Sequence, residues 1–450
     1  MSEFKVIVVG GGPIGLTAAH TLSKAGIDFV LLERRASIIE DVGASLVLSP
    51  QIMRVLFQLG LLDSYRRIGQ EVLHNVHYTM DGKRFRESWS LKHLNDNNGA
   101  YPSVCHRADF TRLLYEALTP TDASRVHANK KVCDIIQMET GVRVMCEDGS
   151  EYQGSIVLGA DGVHSITRRI MHQQNPIDTS KKPHQNLQNP FSTEYKVLFC
   201  ALPRLWEYAP GDFIVTHGDG SALQILVGST KSWFFLYERL DKTKPQSSYT
   251  SYSEQDAEAY IAKYADAPFG DKLKLGEVWK RKLSYGMADL EEGILNKWSN
   301  GRIVLAGDAA HKFTPNAGLG YNSGLQDVVE LVNRLHKCLQ EGKLDEPDTA
   351  EIAKLFKDYQ DARTPRTKSD MGASAATTRM CAWPNNFWWF LDMYVTTAIP
   401  YFEPIWFRYV VAPDISRGLV LDFLRGPEPF VGKIPWVNPI KPQVKGSEMV

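Results

Sequence analysis

The chain has 450 residues, a formal net charge of -1, a hydrophobic fraction of 43% and a charged fraction of 23%. That length exceeds what a single core serves, so at least two domains are expected, and the near-zero charge leaves no basic excess to neutralise nucleic-acid phosphates. Six cysteines (Cys105, Cys133, Cys146, Cys200, Cys338, Cys381) are scattered with no Cys-x-x-Cys pair, and the histidines do not cluster. This pattern reads as reduced thiols in a cytoplasmic compartment, with no disulfide framework and no metal site.

In chain order, Lys5 to Val9 is a short β-branched run that suits a buried parallel strand. It starts so near the N-terminus that no signal peptide is expected ahead of it. The glycines of Gly10-Gly11-Gly12-Pro13-Ile14-Gly15 follow at once. Gly10 allows a tight turn, Gly12 lets backbone approach a pyrophosphate, and Gly15 lets a helix pack on the strand. Leu16 to Ala25 reads as that helix, with its N-terminal amides facing the phosphates. Phe29 to Leu32 is the second strand, and Glu33 closes it where a carboxylate can accept from ribose hydroxyls. His77 to Trp89, with a turn at Asp81-Gly82, predicts an antiparallel hairpin. Asp109 to Leu118 has helical spacing, and two strand-like runs within 132–145 meet near Gly141.

Ile156 to Gly159 returns as a buried strand and leads into Gly159-Ala160-Asp161-Gly162. A polar surface crossing is expected from about 175 to 188. Tyr195 to Ala201, Phe213 to Thr216, Leu223 to Val227 and Trp233 to Glu238 read as strands of a mixed sheet, and 252–264 as an amphipathic helix. Ile303 to Ala306 is another buried strand. It precedes Gly307-Asp308-Ala309-Ala310-His311 and a helix after Pro315 whose apolar face carries Leu325, Val328, Val329, Val332, Leu335 and Leu339. Beyond about Met371 the composition turns aromatic and proline-rich. Asp392, Glu403, Arg408, Pro400 and Pro404 interrupt that stretch, so no spanning helix is expected. Two readings stay open for it: a helical cap over a substrate cavity, or an interfacial membrane contact.

With these motifs in place, residues 1 to about 370 resemble the class A flavoprotein monooxygenases, the single-component aromatic-hydroxylase type. Gly159-Ala160-Asp161-Gly162 with Ser165 and Arg168 is similar to the family's Asp-Gly motif. Gly307-Asp308 through Pro315, Ala317, Gly318, Gly320, Tyr321 and Asn322 is similar to its Gly-Asp motif, whose aspartate contacts the flavin ribityl chain. Arg107 matches an arginine near the FAD phosphates. Glu40 to Ser45 and Arg54 to Leu61 look most like fungal enzymes of secondary metabolism that epoxidise or hydroxylate prenylated indoles and terpenoids, some forming spiro-oxindoles. The family often has glycine at the position of Val47, beside the isoalloxazine.

The resemblance implies a Rossmann-like α/β FAD-binding fold, discontinuous over 1–75, 100–175 and 290–370. A mixed β-sheet substrate domain is inserted at 76–99 and 176–289, and a helical cap spans 371–450. It implies FAD, held non-covalently, with NADPH or NADH as reductant and O2 as co-substrate through a flavin C4a-hydroperoxide. The cofactor does the difficult chemistry, which accounts for the lack of a nucleophile or triad. Beyond the residues already named, Glu33, Arg34, Gly43, Ala44 and Val47 belong to the implied flavin site. A Tyr-Arg pair faces substrate in the fungal relatives; Tyr195 and Lys196 stand at the matching place and are the expected acid. His311 reads as structural, and Asp161 as an anchor of nucleotide contacts. The alternatives are a hydroxylase of small phenols and a non-catalytic nucleotide-fold binding protein, and retention of Asp161-Gly162 and Gly307-Asp308 argues against the latter.

Overall fold

Four of the short apolar runs lie side by side as parallel strands. Lys5–Val9 pairs with Asp28–Leu32 on one side and Ile156–Gly159 on the other, and Ile303–Leu305 follows. Val126–His127 and Ser299–Asn300 complete a six-stranded sheet. Its central residues, such as Ile7, Val8, Val157, Leu158 and Val304, are fully buried, which is why these strands are continuously apolar and do not alternate. The computed structural model describes residues 4–41, 45–174, 191–245, 250–342, 348–398 and 402–443. The polar crossing expected at 175–188, and Gly43 and Ala44, lie outside the described residues.

The helix after the first strand is Pro13–Lys24, starting three residues earlier than its apolar pattern, because proline is preorganised for a first helical turn. Pro315–Ala317 is a short 3-10 turn, and Gly318 at φ 66° separates it from the helix Leu319–Gln340. That positive φ favours glycine. The predicted hairpin is present as His74–Thr79 and Arg84–Ser88, paired antiparallel.

The second sheet has eight strands, in the order 311–312, 284–294, 192–203, 231–245, 221–227, 212–217, 74–79 and 84–88. Its pairs are antiparallel except Asp212–His217 with His74–Thr79, which run parallel. Alternation gives the sheet two apolar faces. Leu198, Cys200, Ile214, Ile225 and Phe234 pack under the helices Glu254–Lys263 and Leu275–Trp279. Val197, Phe199, Phe213, Leu226 and Phe235 face the other way, into a cavity.

The helix Thr349–Ala382 ties the two sheets together. The Tyr359 hydroxyl donates to the Leu305 carbonyl of the parallel sheet at 3.1 Å, and Cys381 and Ala382 pack on Tyr195, Val215 and Tyr237 of the larger one. This helix runs unbroken through 370/371, where the composition shift had put a boundary. Trp383, in the left-handed region at φ 43°, ends it.

Helical turns follow at 386–398 and 402–416, and a buried polar cluster fixes the first of them. Asp392 accepts from Arg86 at 2.8 Å and from the Trp383 indole at 3.0 Å, and pairs with His217 at 3.0 Å. His217 in turn meets His77 at 2.9 Å. Burial, with Arg86 and His217 adding to it, holds the His77 pKa well below its ordinary value of 6.5. The hydrogen bond and charge of His217, with Arg86, hold the Asp392 carboxyl low against the opposing effect of burial.

Candidate functional site

A single cavity of about 940 Å³ runs from the first glycine turn to the inner face of the eight-stranded sheet. At its first end the chain approaches itself closely at the glycine turn. Gly10, at φ 108°, passes so close to the next strand that a Cβ there would stand 2.6 Å from the Ala160 carbonyl oxygen. A Cβ on Gly15 would collide with the Gly10 carbonyl oxygen, so these two glycines serve the close approach of chain to chain. Gly12 and Gly162 differ, because a Cβ at either would meet nothing within 4 Å. Both line the cavity. Gly12 caps Pro13–Lys24 with no side-chain hydrogen bond to the first amides, so that turn presents N–H groups and the positive end of the helix dipole.

Glu33 is buried, and its carboxylate accepts from the Gly11 amide at 2.6 Å and the Arg35 amide at 2.9 Å. It therefore fixes the glycine turn, while Arg34 beside it is exposed. Asp161 accepts from the Thr167 amide and hydroxyl through one oxygen, at 2.9 and 3.0 Å, and its other oxygen is buried with no partner among the described residues. Arg168, three residues after the cap Ser165, donates to the carbonyls of Val163 and Ala309 and so joins the second motif to the third.

The third motif is held from below. Asp327, fully buried, accepts from the Gly307 amide at 2.9 Å, from His311 at 2.6 Å and from Arg363 at 2.8 Å. His311 is thus a structural histidine. This clamp leaves Asp308 on the cavity wall, which Arg107 also lines. Burial raises the Asp308 pKa, and the His311, Arg107, Lys312 and Arg168 charges oppose that rise. Burial also lowers the Arg107 pKa, against the attraction of Asp308.

Pro315, Ala317, Gly318, Gly320 and Tyr321 line the same end, and Tyr321 meets the Thr17 hydroxyl at 3.0 Å. Asn322 is a stitch: its amide donates to the Val47 and Gly318 carbonyls and its oxygen accepts from Ser49. Val47 packs against Gly318. A Cβ on Gly318 would sit 3.0 Å from the Val47 Cβ, so the two residues partition one gap.

The far end of the cavity is aromatic and aliphatic, with Phe199, Phe213, Phe235, Tyr237, Leu226 and Met287 on the sheet and Phe407, Val411 and Ile415 on the C-terminal helical stretch. Asn75 and Gln224 are polar groups on that wall, and the Asn75 amide oxygen has no partner among the described residues. Lys312 and Glu291 are ion-paired, and both line the cavity. Lys312 is buried, its ammonium 4.2 Å over the Phe191 ring, and burial lowers its pKa against the Glu291 hydrogen bond.

Tyr195 and Lys196 do not meet in the cavity. Lys196 projects from the opposite face of the sheet, 2.9 Å from Glu238 and 4.6 Å over the Tyr260 ring. Tyr195 lies on the cavity side but is sealed under the long helix; its hydroxyl has no hydrogen-bond partner among the described residues, and burial pushes its pKa up to about 12. Consecutive strand residues face opposite ways, so the expected pair is split, and we assign Lys196 to an ion pair and not to the reaction. Lys312, Glu291, Asp327 and Arg363 were missed from the sequence. Lys312 had a signal, since it directly follows Gly307 to His311, whereas Asp327 and Arg363 look like the solvated faces of their helices.

A flavin dinucleotide fits this donor set. The open backbone at Gly12 and Gly162 leaves room for phosphate and ring, Arg107 supplies a cation and Asp308 supplies an acceptor for hydroxyls, while Asp161 braces the second turn through Thr167. The family described as "FAD binding domain" matches residues 3–368. FAD-dependent monooxygenase DEP2 of Alternaria brassicicola is 34% identical over 387 residues, covering 85% of this chain and 72% of its own. FAD-dependent monooxygenase srdH of Neurospora crassa is 32% identical over 458 residues, covering 97% of this chain and 99% of its own. Among solved structures, Klebsiella pneumoniae HpxO complexed with FAD and uric acid superposes with a TM-score of 0.72 at 19% identity, covering 92% of this chain and 96% of its own.

Proposed function

The chain belongs to the FAD-binding-domain family, has the Rossmann-like aromatic-hydroxylase fold and is an FAD-dependent monooxygenase; on that premise we propose that it uses NADPH or NADH, with O2, to epoxidise or hydroxylate a bulky apolar substrate. The substrate class we favour is a prenylated indole alkaloid or a terpenoid of fungal secondary metabolism, and rearrangement to a spiro-oxindole belongs to the same reading. FAD, when bound, supplies activation of O2 by reducing equivalents and delivery of one oxygen atom to an electron-rich carbon. The single observation that carries the substrate class is the continuity of the cavity from the glycine turn to a broad apolar wall. A predominantly apolar wall recognises shape and carbon surface, and interspersed polar groups such as Asn75 and Gln224 orient what binds.

In this reading the Gly12 and Pro13 turn holds the pyrophosphate and Arg107 holds a phosphate oxygen by charge-assisted bonds. Asp308 accepts from the ribityl chain, while Glu33, with lone pairs beyond those on Gly11 and Arg35, accepts from the ribose. The amides at Ala317 to Gly320, at the start of the helix Leu319–Gln340, would hold negative charge on the flavin pyrimidine. The bond between protein and FAD is non-covalent. Lys312 is a second cation, besides Arg107, on the cavity lining, and we assign it to holding negative charge there, with Glu291 fixing its position. Phe407, Val411 and Ile415 exclude water from the substrate end, which strengthens every electrostatic contact inside. The discontinuous domain division belongs to this proposal: the parallel sheet serves the cofactor, the eight-stranded sheet the substrate, and the C-terminal helices close the space.

Mass spectrometry of products formed under 18O2 from a panel of prenylated indoles and terpenoids, with small phenols as controls, tests the substrate class. One labelled oxygen in a terpenoid or indole product is expected. Turnover confined to the phenols would replace the proposal with hydroxylation of small aromatics.

A further inference from the structure

The outer side of the C-terminal helical stretches carries an apolar surface that the cavity does not use. Phe387, Phe390 and Tyr394 follow helical spacing and are exposed, and so are Ile405, Trp406 and Tyr409, the last at 75%. Both stretches sit on one edge strand, Arg84–Ser88. Asp392 accepts from Arg86, and Glu403 accepts from Ser88 at 2.6 Å. Arg86 and Ser88 are two positions apart on that strand, about 7 Å, so the two helical stretches are anchored side by side.

Next to Ile405 and Tyr409 opens a groove lined by His93, Asp96, Asn97, Arg408 and Lys433. Its one carboxylate, Asp96, is already shared between Lys92 at 2.9 Å and Lys433 at 3.6 Å, so the groove has a cationic surplus. Contiguous exposed aromatic surface of this kind marks an interaction site. Trp, Tyr and Phe beside Arg and Lys suit the lipid headgroup boundary. A second copy of the chain is disfavoured, because a two-fold contact through this face would set the same cations against each other.

We propose that the outer faces of 386–398 and 402–416 dock on a bilayer containing anionic phospholipid, with the Arg408 and Lys433 groove taking a headgroup phosphate, whatever substrate the cavity receives. Among the described residues no helix is long and apolar enough to cross a membrane, so the contact is interfacial. The same helical stretch, 402–416, presents Phe407, Val411 and Ile415 to the cavity. Docking therefore brings the lipid phase to within one helix thickness of the substrate end.

Co-flotation of the full-length flavin-loaded protein with vesicles of phosphatidylcholine, with and without phosphatidylserine, tests this. Binding is expected to both, and to be stronger with phosphatidylserine. A Trp406→Ser, Tyr409→Ser double variant should bind at least roughly tenfold more weakly to either, from lost aromatic burial. Lys433→Gln should bind roughly fivefold more weakly to phosphatidylserine vesicles alone. Each variant should keep its flavin spectrum, since none of these residues lines the cavity. Absence of flotation with both vesicles, or flotation indifferent to the double variant, overturns the docking surface. A concentration-dependent dimer that the double variant abolishes, without vesicle binding, overturns it in favour of self-association. An unchanged phosphatidylserine preference in Lys433→Gln overturns the headgroup site.

Discussion

Gly12→Ala separates the two meanings a glycine has in this turn. Gly12 lies at φ −74° and ψ −179°, which alanine adopts freely, and a methyl group there would touch no protein atom within 4 Å. Replacing glycine in a permitted conformation gains about 0.4–1 kcal/mol through the unfolded chain, while alanine is a poorer helix cap than glycine by about 0.5 kcal/mol. The two nearly cancel, so the apo protein should keep its thermal midpoint. The added methyl occupies the approach to the helix amides, where loss of one charge-assisted hydrogen bond costs about 1.5–3 kcal/mol. FAD affinity should therefore fall roughly ten- to hundredfold. Gly15→Ala is the control. Its Cβ would collide with the Gly10 carbonyl oxygen, and strain of this kind costs about 1–3 kcal/mol or more, so this variant should lose apo stability as well. Fluorescence titration of FAD into apo protein, with thermal unfolding of the same samples, reads both quantities. Unchanged FAD affinity in Gly12→Ala, or an apo midpoint lowered as far as in Gly15→Ala, would refute the assignment of the turn to the pyrophosphate.

Asp308→Ala should release FAD on gel filtration while the apo fold persists, because Asp327, not Asp308, clamps the Gly307 loop; full flavin occupancy would place the third motif wrongly. Lys312→Met should slow product formation while Lys196→Met does not, measured as turnover at matched flavin occupancy, and equal effects would undo the assignment across the sheet. Tyr195→Phe removes a buried hydroxyl that has no partner among the described residues, so stability should hold or rise slightly; a fall in unfolding temperature would reveal a partner. His77 has a folded pKa well below 6.5, so the unfolded chain binds the extra proton first. Its contribution to stability is full above about pH 6.5 and declines as pH falls below that value, and His77→Gln should flatten this acid limb in thermal unfolding followed against pH. Asp392→Asn leaves Arg86 and His217 without their carboxylate, which typically costs about 3–5 kcal/mol for a buried pair, read as early proteolysis beyond Trp383.

The cofactor end of this protein is written locally. Gly10 and Gly307 act through left-handed backbone, Gly12 and Gly15 through the missing side chain, and Asp161 and Asp308 through carboxylates set in short turns at the ends of strands, so a run of a few residues carries its own meaning. The apolar strands around them could be read for the same reason, since burial on both faces removes every polar position. The substrate end depends on pairings between distant segments. Val197 and Lys196 are neighbours in sequence, yet their roles part according to which face of the sheet meets the cavity, and that is decided by helices 254–263 and 349–382. Val47 meets Gly318 across some 270 residues, Asp327 reaches back to Gly307 while bound to Arg363, and Asp392 reaches Arg86 from 306 positions away. The aromatic tail likewise left a cap and a lipid contact both open. The structure gives it an inner face on the cavity and an outer face exposed, because a helix pinned to a sheet edge must present both sides.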